Sequence, residues 1–305
     1  MVLIFSEEND SSTTQVIEWL TFYNIVYIRI NETDELEIII KNNEFVIMIS
    51  DNELELKNVK FIWYRRPTLK FKRPYINLKH FEDLLNIEYS KIIELFIYRL
   101  SQIPSLGNII SDSNKLIITD IAKKVGLCTT DDYIVSNKME LLKLCKNRII
   151  SKVISGHSMY SFEEFTAFNY TSIINCNNNT PDIFFPSLIQ NYVDKKYELR
   201  VYYQQKRFFT MAIISQNDIQ TSVDFRNYNK KKPNRTVPYK LPNKIEFKII
   251  ELMEKIEFDN GSIDLIVTPN NQYVFLELNP VGQFGMTSYP TNFNIEKSIA
   301  NLCKL

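Results

Sequence analysis

Along the first hundred residues the hydrophobic period switches between about two and about 3.6, as it does where strands and helices alternate. Residues 2–5 form an apolar run of buried-strand length. Val16, Ile17, Trp19 and Leu20 then follow at helical spacing, with Ser11-Ser12-Thr13 placed to cap that helix. Residues 25–30, 35–40, 45–50 and 59–64 are β-branched or aromatic stretches of strand length. A long amphipathic helix is predicted over 78–102, carried by Phe81, Leu84, Leu85, Tyr89, Ile92, Ile93, Phe96 and Leu100. Ile103-Pro104-Ser105-Leu106-Gly107 breaks it, and a domain boundary is predicted there. Past that point the pattern predicts a helix from Ser113 to Val125 closed by Gly126, a strand over 133–135, a helix over 139–147 and a strand over 148–154. Strands over 188–193, 199–203 and 208–215, a helix over 245–256, a final hairpin and a C-terminal helix complete the chain.

Composition narrows the function classes. The 305 residues hold 36 Lys+Arg against 36 Asp+Glu, and a zero balance argues against a general polyanion binder. With 45% hydrophobic and 13% aromatic residues the chain is not disordered. There are 6 glycines, where average usage gives about 21, so each is expected where backbone turns or approaches closely. Cys128, Cys145, Cys176 and Cys303 make no C-x-x-C pair, which predicts buried thiols rather than a zinc site or a disulfide framework. The acidic start and the lack of a long apolar run predict a cytoplasmic protein.

Three segments carry candidate chemistry. In the hairpin Ser262-Ile263-Asp264-Leu265 … Leu276-Glu277-Leu278-Asn279, a two-residue loop at Asn270-Asn271 sets Asp264 opposite Glu277. Asn279 then shares their face. Facing carboxylates repel, so the pattern fits either a hard cation held by three oxygen ligands or the exposed polar face of an edge hairpin. Lys152 sits in an apolar strand that runs into Ser155-Gly156-His157, where its ammonium and the loop amides suit a phosphate, although a surface lysine reads the same way. Glu198 and Arg200 share one face of a strand, and Arg226 follows in Asp224-Phe225-Arg226. Such arginines suit phosphoryl transfer onto an acid, or a cross-strand salt bridge. The stretch 229–235 is a basic, polar loop and reads as a solvated crossover.

In this order, the strand lysine with its small-residue loop, Gln190-Asn191-Tyr192-Val193-Asp194-Lys195-Lys196-Tyr197-Glu198-Leu199-Arg200, Asp224-Phe225-Arg226, and Phe275-Leu276-Glu277-Leu278-Asn279-Pro280-Val281-Gly282-Gln283 resemble the ATP-grasp ligases. More narrowly the chain resembles the maturases of microviridin-type, ω-ester-linked peptides (graspetides), nearest their grasp-with-spasm branch. The likeness extends to Ile62-Trp63-Tyr64-Arg65-Arg66-Pro67 and to Ser113-Asn114-Lys115-Leu116. It implies an α/β (α+β) ATP-grasp fold with an N-terminal pre-ATP-grasp domain (1–110), a central domain on the ATP and leader-peptide side (111–185) and a C-terminal ATP-grasp domain (186–305).

By motif, it implies that Lys115 and Lys152 contact the ATP α/β-phosphates under a loop including Ser155 and Gly156. Gln190, Tyr192 and Val193 would meet adenine, and Glu198 would lie toward the ribose. Asp264, Glu277 and Asn279 would hold magnesium, as two ions, and Arg200 and Arg226 would stabilise the transferred phosphoryl group. The implied partner is a ribosomal precursor peptide, a leader plus an acidic, Thr-rich core, with a homodimer as the expected assembly. A ligase for free amino acids or protein-tail glutamate shares all these residues, and a non-catalytic peptide-binding module is the remoter alternative.

Overall fold

The apolar run at the N-terminus becomes the centre of a parallel sheet. The computed structural model describes all residues except 42, 50–51, 74–78, 110–113, 156–158, 163, 169, 176–179, 217, 219–220, 222, 226, 228, 230 and 305. The chain divides into two compact units, residues 1–111 with 294–305, and residues 112–293.

The first unit runs β1 (Val2–Ser6), α1 (Ser11–Phe22), β2 (Tyr27–Asn31), β3 (Glu35–Lys41), β4 (Glu44–Ile49), β5 (Asn52–Glu55), β6 (Phe61–Tyr64), β7 (Lys70–Phe71), α2 (Glu82–Ser101) and β8 (Ser105–Leu106). Parallel pairing gives the order β2-β1-β6-β8, and β5-β4-β3-β7 form a second sheet. Leu3, Phe5, Ile47, Ile62, Phe96 and Leu100 fill the core. The expected linker at Pro104 to Gly107 thus contributes an edge strand. The cap of α1 is Asp10 rather than the Ser-Ser-Thr run, because its carboxylate accepts from the Thr13 amide.

That carboxylate also anchors Arg65 at 3.1 Å and Arg66 at 2.9 Å, and Arg65 donates to Ser12. Asp10 and Arg65 are almost fully buried, and Trp63 is a core residue, so most of the Trp-Tyr-Arg-Arg motif works as framework.

The second unit runs α3 (Lys115–Lys124), β9 (Cys128–Thr129), β10 (Asp132–Asn137), α4 (Lys138–Leu144), β11 (Ile149–Lys152), β12 (Met159–Ser161), β13 (Thr166–Phe168), β14 (Ser172–Ile173), β15 (Ile183–Asn191), β16 (Tyr197–Gln204), β17 (Arg207–Ile214), β18 (Arg235–Tyr239), α5 (Asn243–Lys255), β19 (Asn260–Val267), β20 (Tyr273–Asn279) and α6 (Gly285–Thr291). The sheets are β10-β15-β11-β14, a β12-β13 hairpin, and β18-β17-β16-β19-β20-β9. Asn114, not Ser113, caps α3, accepting from the amides of Leu116 and Ile117. Gly126 takes the left-handed conformation expected after that helix, with φ of 78°. β15 begins well before the predicted start because Pro186 lies outside the 188–191 stretch paired with β11, where a missing N–H is tolerated.

On one face of the six-stranded sheet, Leu199, Val201, Ile263, Leu265, Phe275 and Leu278 pack with Ile118 of α3 and Ile249 and Leu252 of α5. The opposite face carries the charged residues. α7 (Ile295–Leu302) rejoins the first unit beside α1, with the Lys297 ammonium 4.8 Å from the Trp19 ring. The buried-thiol expectation holds for Cys303 but fails for Cys128, which is exposed, and for Cys145, which is disulfide-bonded; Cys176 lies outside the described residues. No helix among the described residues is long and apolar enough to cross a membrane.

Burial pushes the Asp10 carboxyl up, but Arg65 and the hydrogen bonds from Ser12, Arg66 and Thr13 outweigh it and bring it from 3.8 to about 2. A depressed carboxyl stabilises the fold fully above its unfolded value and loses that contribution as pH falls through the folded one. Asp10→Asn is expected to cost about 2 kcal/mol at pH 7 and to remove the part of the acid transition between about pH 4 and 2. Urea unfolding read by tryptophan fluorescence checks this, because Trp19 and Trp63 both belong to the first unit.

Candidate functional site

The hairpin β19–β20 sets the site. Its loop is three residues, Pro269 to Asn271, not two: the Thr268 amide donates to Gln272 O at 2.9 Å and Asn271 takes a left-handed φ of 59°. Pairing therefore starts one step out from the predicted register, with Val267 opposite Tyr273 and Leu265 opposite Phe275. A bulge between Asp264 and Leu265 then absorbs one extra residue, and Asp264 does lie opposite Glu277. The bulge also turns Leu276 to the same side as Glu277, so both line the cleft while Phe275 and Leu278 stay in the core. Ser262 pairs with Asn279, continuing the Asp264–Glu277 face. Past Asn279 the chain turns back over β19 at Gly282, whose φ is 62°. A Cβ on Gly261 would stand 2.8 Å from Leu278 Cδ1 and 3.3 Å from Asn279 O, so a side chain there would force Leu278 to shift.

Each carboxylate has its cations in place. Arg200, directly across the ladder on β16, sets Nη1 2.8 and 2.7 Å from the two oxygens of Asp264. Its buried Nε has no partner among the described residues, leaving capacity for a further anion. Lys115, first residue of α3, and Lys152, last of β11, each place Nζ 2.9 Å from Glu277 Oε2. Burial alone would raise the Glu277 carboxyl. Lys152 and Lys115 more than offset that and hold it well below the usual carboxylate range.

A cleft of about 640 Å³, including its solvent-open part, runs along this face. Of the sequence candidates, Lys152, Gln190, Tyr192, Val193, Glu198, Asp264 and Glu277 line it. Lys115 and Arg200 reach it through their ion pairs. Asn279 lies farther along the same face and is not a lining residue. Ser155 comes shortly after β11 and is not a lining residue, and Gly156, His157 and Arg226 are outside the described residues. The Gln190 amide nitrogen donates to Thr130 Oγ1 at 3.0 Å and Asp132 Oδ1 at 2.8 Å, so this side chain braces β10 instead of standing free in the cleft. The Arg148 guanidinium stacks 3.7 Å from the Tyr192 ring.

Sequence reasoning missed Lys195, although it lies within a quoted motif. Its ammonium is buried, 2.5 Å from Glu198 Oε1 and 3.0 Å from Val223 O. It thereby ties the strand-linking segment to the wall containing Asp224, which in turn accepts from the Thr171 amide. Burial raises the Glu198 carboxyl, and Lys195 and the Ser215 hydroxyl only partly oppose this while the Asp264 charge adds to it. Glu198 and Arg200 do not pair with each other; each takes a different partner.

The potential metal donors, Asp264, Glu277 and Asn279, are all oxygen-bearing, which suits a hard divalent cation. Among the described residues no group of three or more His, Cys, Asp or Glu side chains converges, so Asn279, nucleotide or water would complete the shell.

No family model and no curated protein matches the sequence. Among solved structures, the macrocyclase MdnC of Microcystis aeruginosa MRC, bound with precursor peptide MdnA, has a TM-score of 0.74 and 26% identity over 99% of each chain. A RiPP-associated ATP-grasp ligase of Chryseobacterium gregarium, in complex with ADP and a leader and core peptide, gives a TM-score of 0.80 at 23% identity. It covers 99% of this chain and 96% of its own. The ATP-grasp ligase PsnB, complexed with a minimal precursor, Mg and ADP, gives 0.69 at 11% identity over 99% and 96%. The chain has the ATP-grasp ligase fold. In that fold the cleft between the small sheet and β16–β19–β20 is where its charged residues gather.

Lys195→Met removes the cation that restrains the Glu198 carboxyl, which then rises further. A carboxyl raised in the fold loses stability as pH increases. The variant is expected to be destabilised by about 3 kcal/mol at pH 8 and by less at pH 5, read as a widening difference in Tm from wild type.

Proposed function

We propose that this chain is an ATP-dependent ligase that activates Asp or Glu side-chain carboxylates of a ribosomal precursor peptide and closes ω-ester links to its Ser or Thr hydroxyls. The observation that carries this reading is the cleft in which Lys115, Lys152 and Arg200 meet Asp264 and Glu277. It lies in a fold matched along 99% of both chains to a peptide macrocyclase.

A peptide carboxylate oxygen attacks the γ-phosphorus of ATP, the bond to the bridging oxygen breaks, and ADP leaves. The hydroxyl oxygen then attacks the acyl carbon, gives up its proton, and phosphate departs carrying the former carboxylate oxygen. Two anions must meet in the first step, and Lys115, Lys152 and Arg200, with Arg226, offset their repulsion. Magnesium, as two ions held by Asp264, Glu277 and Asn279, would neutralise the phosphate charge. Tyr192, Val193, Ile266 and Leu276 bound the cleft with ring and apolar surface suited to a base, with Glu198 on the ribose side. Both reacting groups belong to one peptide, so closure gains from proximity. A lysine amine in place of the hydroxyl gives a lactam by the same steps.

The three-domain division is proposed as 1–110, 111–185 and 186–305. The leader is assigned to the middle segment, where Ile134, Met139, Leu142, Ile183 and Phe185 expose apolar side chains on β10, α4 and β15. A homodimer is assigned to α2, which buries Phe96 and Leu100 yet exposes Leu84, Ile87, Leu95 and Tyr98 on its far face.

Incubating the enzyme and Mg·ATP with an acidic, Thr-rich peptide encoded nearby is expected to yield successive losses of about 18 Da, one water per ring. Glu277→Gln is expected to slow this by at least about a hundredfold. Gain of an amino-acid mass would point instead to a ligase for free amino acids. Leu84→Glu with Leu95→Glu is expected to convert the dimer to monomer in light scattering while leaving the cleft residues untouched.

A further inference from the structure

Three of the four carboxylate oxygens at the site that would take a metal are engaged by side chains. Both oxygens of Asp264 are bonded to Arg200, and Glu277 Oε2 receives two ammonium groups at 2.9 Å each. Three cations meet two anions, all largely shielded from solvent. Resting on the metal role proposed above, we infer that Lys115, Lys152 and Arg200 act as a release mechanism. They keep Asp264 and Glu277 closed to a divalent cation until nucleotide phosphates draw them away.

A divalent ion arriving alone must displace these groups and then sit beside an excess of positive charge, which Coulomb repulsion at low effective dielectric disfavours. A triphosphate reverses the balance. It offers each lysine several oxygens in exchange for one shared carboxylate oxygen, and Arg200 has its unpartnered Nε to give as well. The freed carboxylates then face a polyphosphate instead of ammonium groups. Nucleotide and metal binding are thereby coupled, and by linkage each strengthens the other by the same factor. Lys115 and Lys152 thus have two successive partners, Glu277 in the empty site and phosphate in the filled one. A further consequence is that the protein needs no metal to fold, because its facing carboxylates are already neutralised.

Removing one lysine should therefore improve metal binding to the empty protein. Mn2+ binding, followed by the electron paramagnetic resonance of the free ion, is compared without nucleotide in wild type, Lys115→Met and Lys152→Met. Circular dichroism and Tm confirm folding of each variant. Both variants are expected to bind Mn2+ several-fold to about tenfold more tightly than wild type. Addition of a non-hydrolysable ATP analogue should tighten Mn2+ binding to wild type by more than it does in either variant. Equal Mn2+ affinity in wild type and both variants overturns the release mechanism. The metal assignment has its own control: adding Glu277→Gln to Lys152→Met should abolish the gain. Persistence of the gain in that double variant shows that Glu277 is not the metal ligand and overturns the reading on which this inference rests.

Discussion

Asp264 and Glu277 face each other across two hydrogen-bonded strands on a largely buried surface, and like charges so placed must be neutralised for the sheet to close. Much of the second unit is arranged to do so. β16 brings Arg200 directly opposite Asp264, α3 begins with Lys115, and β11 ends with Lys152. Three elements far apart in sequence thus converge on two carboxylates. The same convergence gives a set of cations beside a cleft lined by apolar side chains, which is what binding a nucleotide triphosphate beside a second anion requires.

The same interactions have different uses at different depths. The buried Asp10–Arg65 pair in the first unit joins a helix cap to the end of a parallel strand, and it is hydrogen-bonded well enough to depress the carboxyl to about 2. Lys195 and Glu198 also form a buried pair, but one whose carboxyl stays raised. The first pair stabilises; the second holds a cleft wall at some cost. Glu277 differs again, because its partners can leave when a stronger anion arrives.

The two faces of β19 were legible because alternation holds along it, with apolar Ile263 and Leu265 on one side and acidic Asp264 on the other. Two opposite errors nonetheless hid in that reading. The loop after Val267 is a residue longer than its sequence suggested, and the bulge at Asp264 compensates, so the right carboxylate pair emerges from the wrong register. Leu276 could not be placed by alternation, since the bulge is what turns it into the cleft. Both first caps were displaced by one residue toward the side chain with the better-placed oxygen, Asp10 before the serines and Asn114 beyond Ser113. A cross-strand salt bridge was an open reading for Arg200, and it forms with Asp264; the Lys195–Glu198 pair was invisible for a different reason. Lys195 lies only three residues from Glu198, yet its other partner, Val223 O, is contributed by a distant loop.

The central claim is that the cleft activates a peptide carboxylate by phosphorylation, and the fate of one oxygen atom tests it. A peptide carrying 18O in its Asp or Glu side-chain carboxylates is cyclised with unlabelled ATP, and the released phosphate and nucleotide are analysed by mass spectrometry. The account predicts one 18O in inorganic phosphate for each water lost from the peptide, with ADP unlabelled. Label in AMP, or ring closure with no label in phosphate, would contradict it.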